Sequence, residues 1–284
     1  PISPPISPTP GKDLRTVTLL NRTFLVYAHG HPRFGIREAR AQIMEAARPP
    51  ILRGACFARD AAGNVSHKGR EGHHSFRGWN DSEWSDVKKL KKDDRGKAEW
   101  CADLSLRALA NGFFPNCTPS KPKETKPSHV CSMEGTWRVS AAAGALAARS
   151  YFASGFFAIK AIESGIIPVN HSSPPTSPHS PSHVSQSRNA PAMYLISPQA
   201  FRAVAARACD VNVTSTSDLK SRFPLAPADQ LPYMCLDLSY CATLLSSGFG
   251  IPATKSITLF RRILYQGRMV EASWPLGAAI NGLM

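Results

Sequence analysis

Apolar positions along this chain follow two periods, one of about two residues and one of about 3.6, in different stretches. Thr16 to Leu20 and Thr23 to Tyr27 are β-rich runs flanking Asn21-Arg22, a pattern that predicts a tight hairpin. Ile36 to Ala47 places Ile36, Ala39, Ile43, Met44 and Ala47 on one helical face, and Pro49-Pro50 ends that helix. Residues 58–100 are polar and mix Gly, His, Lys and Trp, so they read as loops with short elements; Ser105 to Ala110 reads as a short helix. Ala141 to Ile162 is Ala-rich and helical by propensity, with a break near Gly155. Pro198 to Cys209 predicts a helix with Pro in its first turn. Cys235 to Ser247 predicts another, with Leu238, Cys241, Leu244 and Leu245 as its apolar face and Gly248 as its cap. Ile257 to Leu259 reads as a strand, and Ser273 is placed to cap a last helix that tolerates Pro275 in its first turn.

The pattern predicts an α/β domain interrupted by insertions. Residues 1–13 read as a disordered leader and residues 14–284 as the folded lobe, with loop insertions at about 58–100, 115–130 and 168–191. The third of these is dominated by Pro, Ser and His, and its His171, His179 and His183 have no fixed scaffold to make them metal ligands. A chain of 284 residues, 43% of them hydrophobic, is long enough to bury one large core or two small ones.

Charge changes the picture little. The formal net charge is +14, and much of the excess sits in two runs, Lys88 to Lys97 and Lys121 to Lys126. A basic surface favours anionic partners such as nucleotides. The lysine runs lack interleaved aromatic residues, so they read as solvated loops and not as a nucleic-acid interface. The seven cysteines form no C-x-x-C pair, which argues against a zinc ribbon or a thioredoxin motif. Their wide spacing suits long-loop disulfides in an oxidising compartment, with buried free thiols as the other reading. Asn-x-Ser/Thr triplets at Asn21, Asn64, Asn80, Asn116, Asn170 and Asn212 add a weak glycoprotein signal. No signal peptide is visible, the window Ala141 to Ile162 is too interrupted for a membrane span, and the start without Met reads as that of a fragment.

Catalytic signatures are few. There is no G-x-x-x-x-G-K-[ST], no G-x-S-x-G and no H-E-x-x-H. His73-His74 and His29-x-His31 have poor spacing for a metal. Phe156-Phe157, Tyr233, Tyr240 and Trp274 offer flat side chains on which a nucleotide base can stack, although core packing is the commoner use of each alone.

Several stretches in order carry a resemblance. They are Tyr27-Ala28-His29-Gly30 with Phe34-Gly35 and Ala39-Arg40; Cys131-Ser132-Met133-Glu134-Gly135; and Phe152-Ala153-Ser154-Gly155-Phe156-Phe157. Cys235-Leu236-Asp237-Leu238-Ser239-Tyr240 with Gly248-Phe249-Gly250 follows, and Glu271 to Ala279 around Trp274 closes the series. Together they resemble the C-terminal half of an apyrase, a member of the nucleoside triphosphate diphosphohydrolases. The resemblance implies a ribonuclease-H-like (actin-like) lobe, the C-terminal portion of a two-lobed fold with nucleotide in the cleft. It implies that residues 256–284 form a strand and helix returning to the other lobe. It also implies Ca²⁺- or Mg²⁺-assisted attack of water on the terminal phosphate of a nucleoside di- or triphosphate.

The phosphate-binding hairpins and the water-activating glutamate of that family have no match here, so no catalytic or metal-binding residue is expected in this chain, and the chain alone is expected to be inactive. The implied base-binding positions are Phe156, Phe157, Ala158, Tyr233, Met234 and Trp274. Ala158 and Met234 stand where relatives carry aromatics, and Pro275 replaces an alanine. The resemblance implies a Cys209–Cys235 disulfide and pairs Cys131 with Cys117; a Cys56–Cys101 pair, with Cys241 free on its helix, completes the expected set. It places the chain in the secretory pathway (Golgi lumen, membrane-anchored or extracellular), with membrane contact only through segments not present here. The alternative is a catalytically inactive nucleotide-binding or interaction module.

Overall fold

The computed structural model describes residues 14–19, 22–27, 34–46, 56–58, 63–66, 73–76, 97–111, 150–167, 193–210, 213, 215–265 and 268–271. Strands β1 (Leu14–Leu19) and β2 (Arg22–Tyr27) form the expected antiparallel hairpin, with Leu19 opposite Arg22. Arg22 therefore belongs to the second strand and not to the turn. Helix α1 (Ile36–Ala46) buries Ala39, Ile43 and Met44, as its spacing predicts. A second hairpin, β3 (Gly63–Ser66) with β4 (His73–Phe76), lies inside the stretch expected to be mostly loop.

Helix α2 (Lys97–Asn111) is much longer than the expected Ser105–Ala110 helix. Cys101, Leu104, Ala108 and Leu109 recur at helical spacing and are buried, and this face extends the helix back to the end of the lysine run. Lys97 itself is only 5% exposed. Its Nζ donates to the Phe57 carbonyl oxygen at 3.2 Å. Burial lowers the Lys97 pKa to about 8, with Asp210 pulling weakly the other way. Between about pH 8 and its ordinary range near 10.5, the unfolded chain then holds a proton that the folded chain has released. Stability rises with pH across that window, and below it the full penalty for the buried ammonium applies. Lys97→Met removes the titrating group and is expected to flatten that rise. Urea unfolding of both proteins at pH 7 and pH 9.5 checks it.

Strand β5 (Phe152–Ala153) comes where helix was expected, and helix α3 (Phe156–Glu163) follows it. The break falls at Gly155, whose φ of 63° lies in the left-handed region that suits glycine. Strand β6 (Met193–Ile196) leads into α4 (Pro198–Ala208). Ser197 caps α4 by accepting from the Ala200 amide at 3.3 Å, and Pro198 fills its first turn. Helix α5 (Thr216–Arg222) starts with a capping box: Asp218 N donates to Ser215 Oγ at 3.1 Å and Ser215 N to Asp218 Oδ2 at 2.9 Å.

A 3₁₀ turn, Leu231–Tyr233, runs directly into α6 (Met234–Thr243). Every residue of α6 is buried, so the expected one-sided apolar face is a helix enclosed all round. It packs against α1, α2, α3 and α4. It ends in a π-helical turn, Leu244–Gly248; Gly248 lies within that turn, and Gly250 takes the positive φ of 69°. Strand β7 (Ile257–Phe260) lies between β5, parallel to it, and β6, antiparallel. Strands β8 (Arg262–Tyr265) and β9 (Arg268–Glu271) form a third hairpin. The described residues thus have mixed α/β content, with helices gathered about α6 beside a small sheet. The leader at 1–13, most of the expected insertions, and the Ser273-capped helix lie outside them.

Candidate functional site

Four charged side chains from three elements meet in the core around α6. Arg40 ends the run Ile36-Arg37-Glu38-Ala39-Arg40 on the buried side of α1, and Asp237 lies one turn into α6. Lys160 and Glu163 are three residues apart on α3, so they share a face. Arg40 Nε donates to Asp237 Oδ1 at 2.8 Å and Arg40 Nη2 to Asp237 Oδ2 at 2.6 Å, a bidentate pair. Lys160 Nζ lies 2.8 Å from Asp237 Oδ2 and donates to Glu163 Oε2 at 2.7 Å. Arg40 Nη2 also donates to Gln230 Oε1 at 2.7 Å. The guanidinium carbon of Arg40 sits 3.9 Å from the centroid of the Tyr233 ring, a cation–π contact.

The network holds two cations and two carboxylates, so its formal charge is zero. Burial is the largest single effect and pulls the pKa values of Arg40 and Lys160 down, but Asp237 and Glu163, with Tyr233 adding at Arg40, together hold both above their ordinary range. Both carboxylate oxygens of Asp237 are occupied by donors, and the residue has no solvent exposure. Asp237 is thus built as a counter-ion that ties α1 and α3 to α6, not as a proton acceptor for water. Nearby, Tyr240 Oη donates to the Phe34 carbonyl at 2.7 Å, and burial raises the pKa values of both Tyr240 and Cys241.

A divalent cation needs several hard oxygen ligands. Among the described residues, no three His, Cys, Asp or Glu side chains converge. Asp237 and Glu163 already face Arg40 and Lys160. These residues do not fit a resident Ca²⁺ or Mg²⁺.

The expected base-binding positions fall on two sides of this network. On α3, Phe156 is half-buried and its ring stacks on Phe157 with centroids 4.2 Å apart, while Tyr240 lies 6.4 Å away. Phe157 turns inward, 6.2 Å from Phe201, and Ala158 is buried. Beside α6, Tyr233 is buried between Arg40 and the edge of Phe57, whose centroid is 6.4 Å away. Met234 is fully buried in the core. The Lys160–Asp237 contact joins the two segments. Trp274 lies outside the described residues.

The disulfides Cys209–Cys235 and Cys56–Cys101 are both present, and Cys241 is free and buried. Cys117 and Cys131 lie outside the described residues. Arg40, Lys160, Glu163, Gln230 and Asp237 were not among the expected site residues. The signal for them was a Lys and a Glu inside an otherwise apolar helical window, and an Asp within the run Met234 to Cys241.

No helix among the described residues is long and apolar enough to cross a membrane. The sequence model of the GDA1/CD39 (nucleoside phosphatase) family matches residues 10–284. The chain is 27% identical over 280 residues to "Probable apyrase 1" of Oryza sativa subsp. japonica, covering 98% of this chain and 46% of that protein. It is 28% identical over 279 residues to "Apyrase 1" of Arabidopsis thaliana, covering 97% of this chain and 48% of that protein. A 91-residue stretch is 36% identical to "Nucleoside-triphosphatase" of Pisum sativum, covering 32% of this chain and 19% of that protein. The chain therefore spans about half the length of the apyrases that it matches along most of its own. Matched by the family's sequence model from residue 10 to its last residue, the chain belongs to the GDA1/CD39 nucleoside phosphatase family.

Proposed function

We propose that this chain forms the base-binding side of a nucleoside di- or triphosphate hydrolase, within an actin-like lobe whose phosphate-binding and water-activating groups are supplied from outside residues 1–284. The observation that carries this reading is the family match over residues 10–284 together with relatives named apyrase. In the reaction, water displaces the terminal phosphate and leaves the nucleoside mono- or diphosphate. A bound Ca²⁺ or Mg²⁺ would neutralise phosphate oxygens. The part assigned to this chain is to hold the base. Phe156, the half-exposed ring, is the contacting one, Phe157, Ala158, Tyr233 and Met234 back it from the core, and Trp274 is assigned to the same base-binding role. The two disulfides support a place in the secretory pathway.

Titration calorimetry with ADP tests the assignment. Phe156→Leu keeps apolar volume but removes the flat face, and it is expected to weaken binding by about 1–3 kcal/mol. Phosphate release from ATP or GDP by the chain alone is expected to stay at the no-protein blank with either cation. Absence of ADP binding would sink the base-binding reading. Release well above the blank would put the catalytic groups within this chain.

A further inference from the structure

Phe156 stands at the first position of α3, where a helix holds its side chains least firmly. That helix has eight residues and no side-chain N-cap. Helix ends fray, and a helix this short depends on tertiary packing. Two residues of α6 supply it. Asp237 holds Lys160, one turn beyond Phe156, at 2.8 Å. Tyr240 is three residues beyond Asp237, on the same face of α6. Its ring lies 6.4 Å from that of Phe156 and is inclined to it by 27°. Phe157 stacks on Phe156 at 4.2 Å and 30°. The Phe156 ring therefore has two near-parallel aromatic neighbours at favourable offset-stacking distances. Tyr240 is itself fixed. It is buried, and its Oη donates at 2.7 Å to the carbonyl of Phe34, two residues before α1 begins. Burial, with Cys241 adding to it, pushes the phenol pKa well above its ordinary range, so the hydroxyl keeps the proton it donates.

We propose that Tyr240 is a positioning residue that sets the plane of the Phe156 ring for a nucleotide base. The use of that plane rests on the base-binding reading above; the setting of it does not. Tyr240 acts through Phe156 and touches no ligand. A side chain that must be ordered on binding weakens affinity by about two- to tenfold. Packing against Tyr240 meets that cost during folding, before any ligand arrives. The Phe34 carbonyl holds Tyr240 in turn, so the start of α1, the middle of α6 and the start of α3 are joined at one ring.

The test places 4-fluorophenylalanine at position 156 of the full chain. Its fluorine NMR resonance reports the ring directly, and titration calorimetry with ADP reports its use. Tyr240→Met fills the space without a flat face. It is expected to shift and broaden the resonance and to weaken ADP binding by about two- to tenfold. Tyr240→Leu serves equally should the methionine variant not fold. Tyr240→Phe keeps the flat face and is expected to bring both readouts back toward wild type. In a Phe156→Leu background, Tyr240→Met is expected to weaken ADP binding no further, because its effect passes through the missing ring. Phe223→Leu alters another fully buried ring, one that packs under Arg207. It is expected to lower the urea midpoint while leaving the resonance and ADP affinity unchanged. The proposal is overturned by a resonance indifferent to loss of the Tyr240 ring, or by Phe223→Leu producing the same changes as Tyr240→Met. It is also overturned if Tyr240→Met weakens ADP binding as much without Phe156 as with it. A resonance that depends on Tyr240 in a chain that binds no ADP upholds the positioning and counts against the base-binding reading alone.

Discussion

Asp237→Ala is expected to cost the folded chain about 3–5 kcal/mol, because it breaks a buried ion pair from one side. Asp237 accepts from both Arg40 and Lys160, and neither cation can reach bulk water without moving its helix. Without the carboxylate, Arg40 keeps Gln230 and the face of Tyr233, while Lys160 keeps Glu163. Two buried positive charges then face one negative charge. Asp237→Asn retains the shape and one acceptor but not the charge, so its loss should be smaller. Combining Arg40→Met with Asp237→Leu removes both charges of the bidentate pair, and the double variant is expected to be more stable than the sum of its singles. Urea unfolding reads the effect as a lower midpoint at constant slope. A midpoint unchanged in Asp237→Ala would mean that the carboxylate is not the counter-ion of Arg40 and Lys160.

Elements with a strong local signal were legible in the sequence. The β1–β2 hairpin, α1 and α4 follow from alternation, helical spacing and a Ser-Pro start, and the structure has each within two residues of its expected bounds. The expected Ser105–Ala110 helix covers only the C-terminal part of α2, because the polar stretch 58–100 reads as loops with short elements. Its extension depends on Cys101 and Leu104 packing against the core, a tertiary effect that local composition does not carry. Strand β5 is two residues long and exists only through its pairing with β7. α5 was missed even though Ser215-x-x-Asp218 is a capping-box sequence.

The site was legible at the level of motif and not of chemistry. Ala39-Arg40 and Cys235-Leu236-Asp237 were among the stretches that carried the family resemblance, yet nothing in their order revealed that Arg40 and Asp237 touch across 197 residues. The resemblance makes the aromatic positions base-binding ones. In the fold, Phe157 and Met234 are buried, whereas Phe156 stays half-exposed. Periodicity cannot separate these cases, because α3 carries its two buried charged residues on the same turns as its aromatic and apolar ones. Pairing of Lys160 with Asp237 is what makes that helix tolerable inside a core.

Removing the Cys209–Cys235 disulfide by Cys209→Ala with Cys235→Ala is expected to destabilise the chain by about 3.5 kcal/mol on the chain-entropy argument. The two Cα atoms are 4.9 Å apart and the sequence separation is 26 residues. Cys209 ends α4, and Cys235 begins the first turn of α6, so the bond joins two helices that already pack closely. The loop it closes contains α5 and the turn carrying Gln230 and Tyr233. Loss of the bond therefore acts mainly by freeing that loop in the unfolded chain, and secondarily by removing two buried sulfurs, one of them 3.6 Å from Ser239 Oγ. The matching removal of Cys56–Cys101, which spans 45 residues, is expected to cost slightly more, about 4 kcal/mol on the same argument. Cys241 serves as an internal reporter. Burial raises its thiol pKa first, with Asp237 adding to it, so alkylation of Cys241 in the native chain should be slow and should accelerate once the disulfide variants open. Peptide mapping after timed alkylation gives the rate at Cys241. If both double variants unfold at the wild-type urea midpoint and leave Cys241 equally protected, the two disulfides contribute nothing to holding the helices around α6.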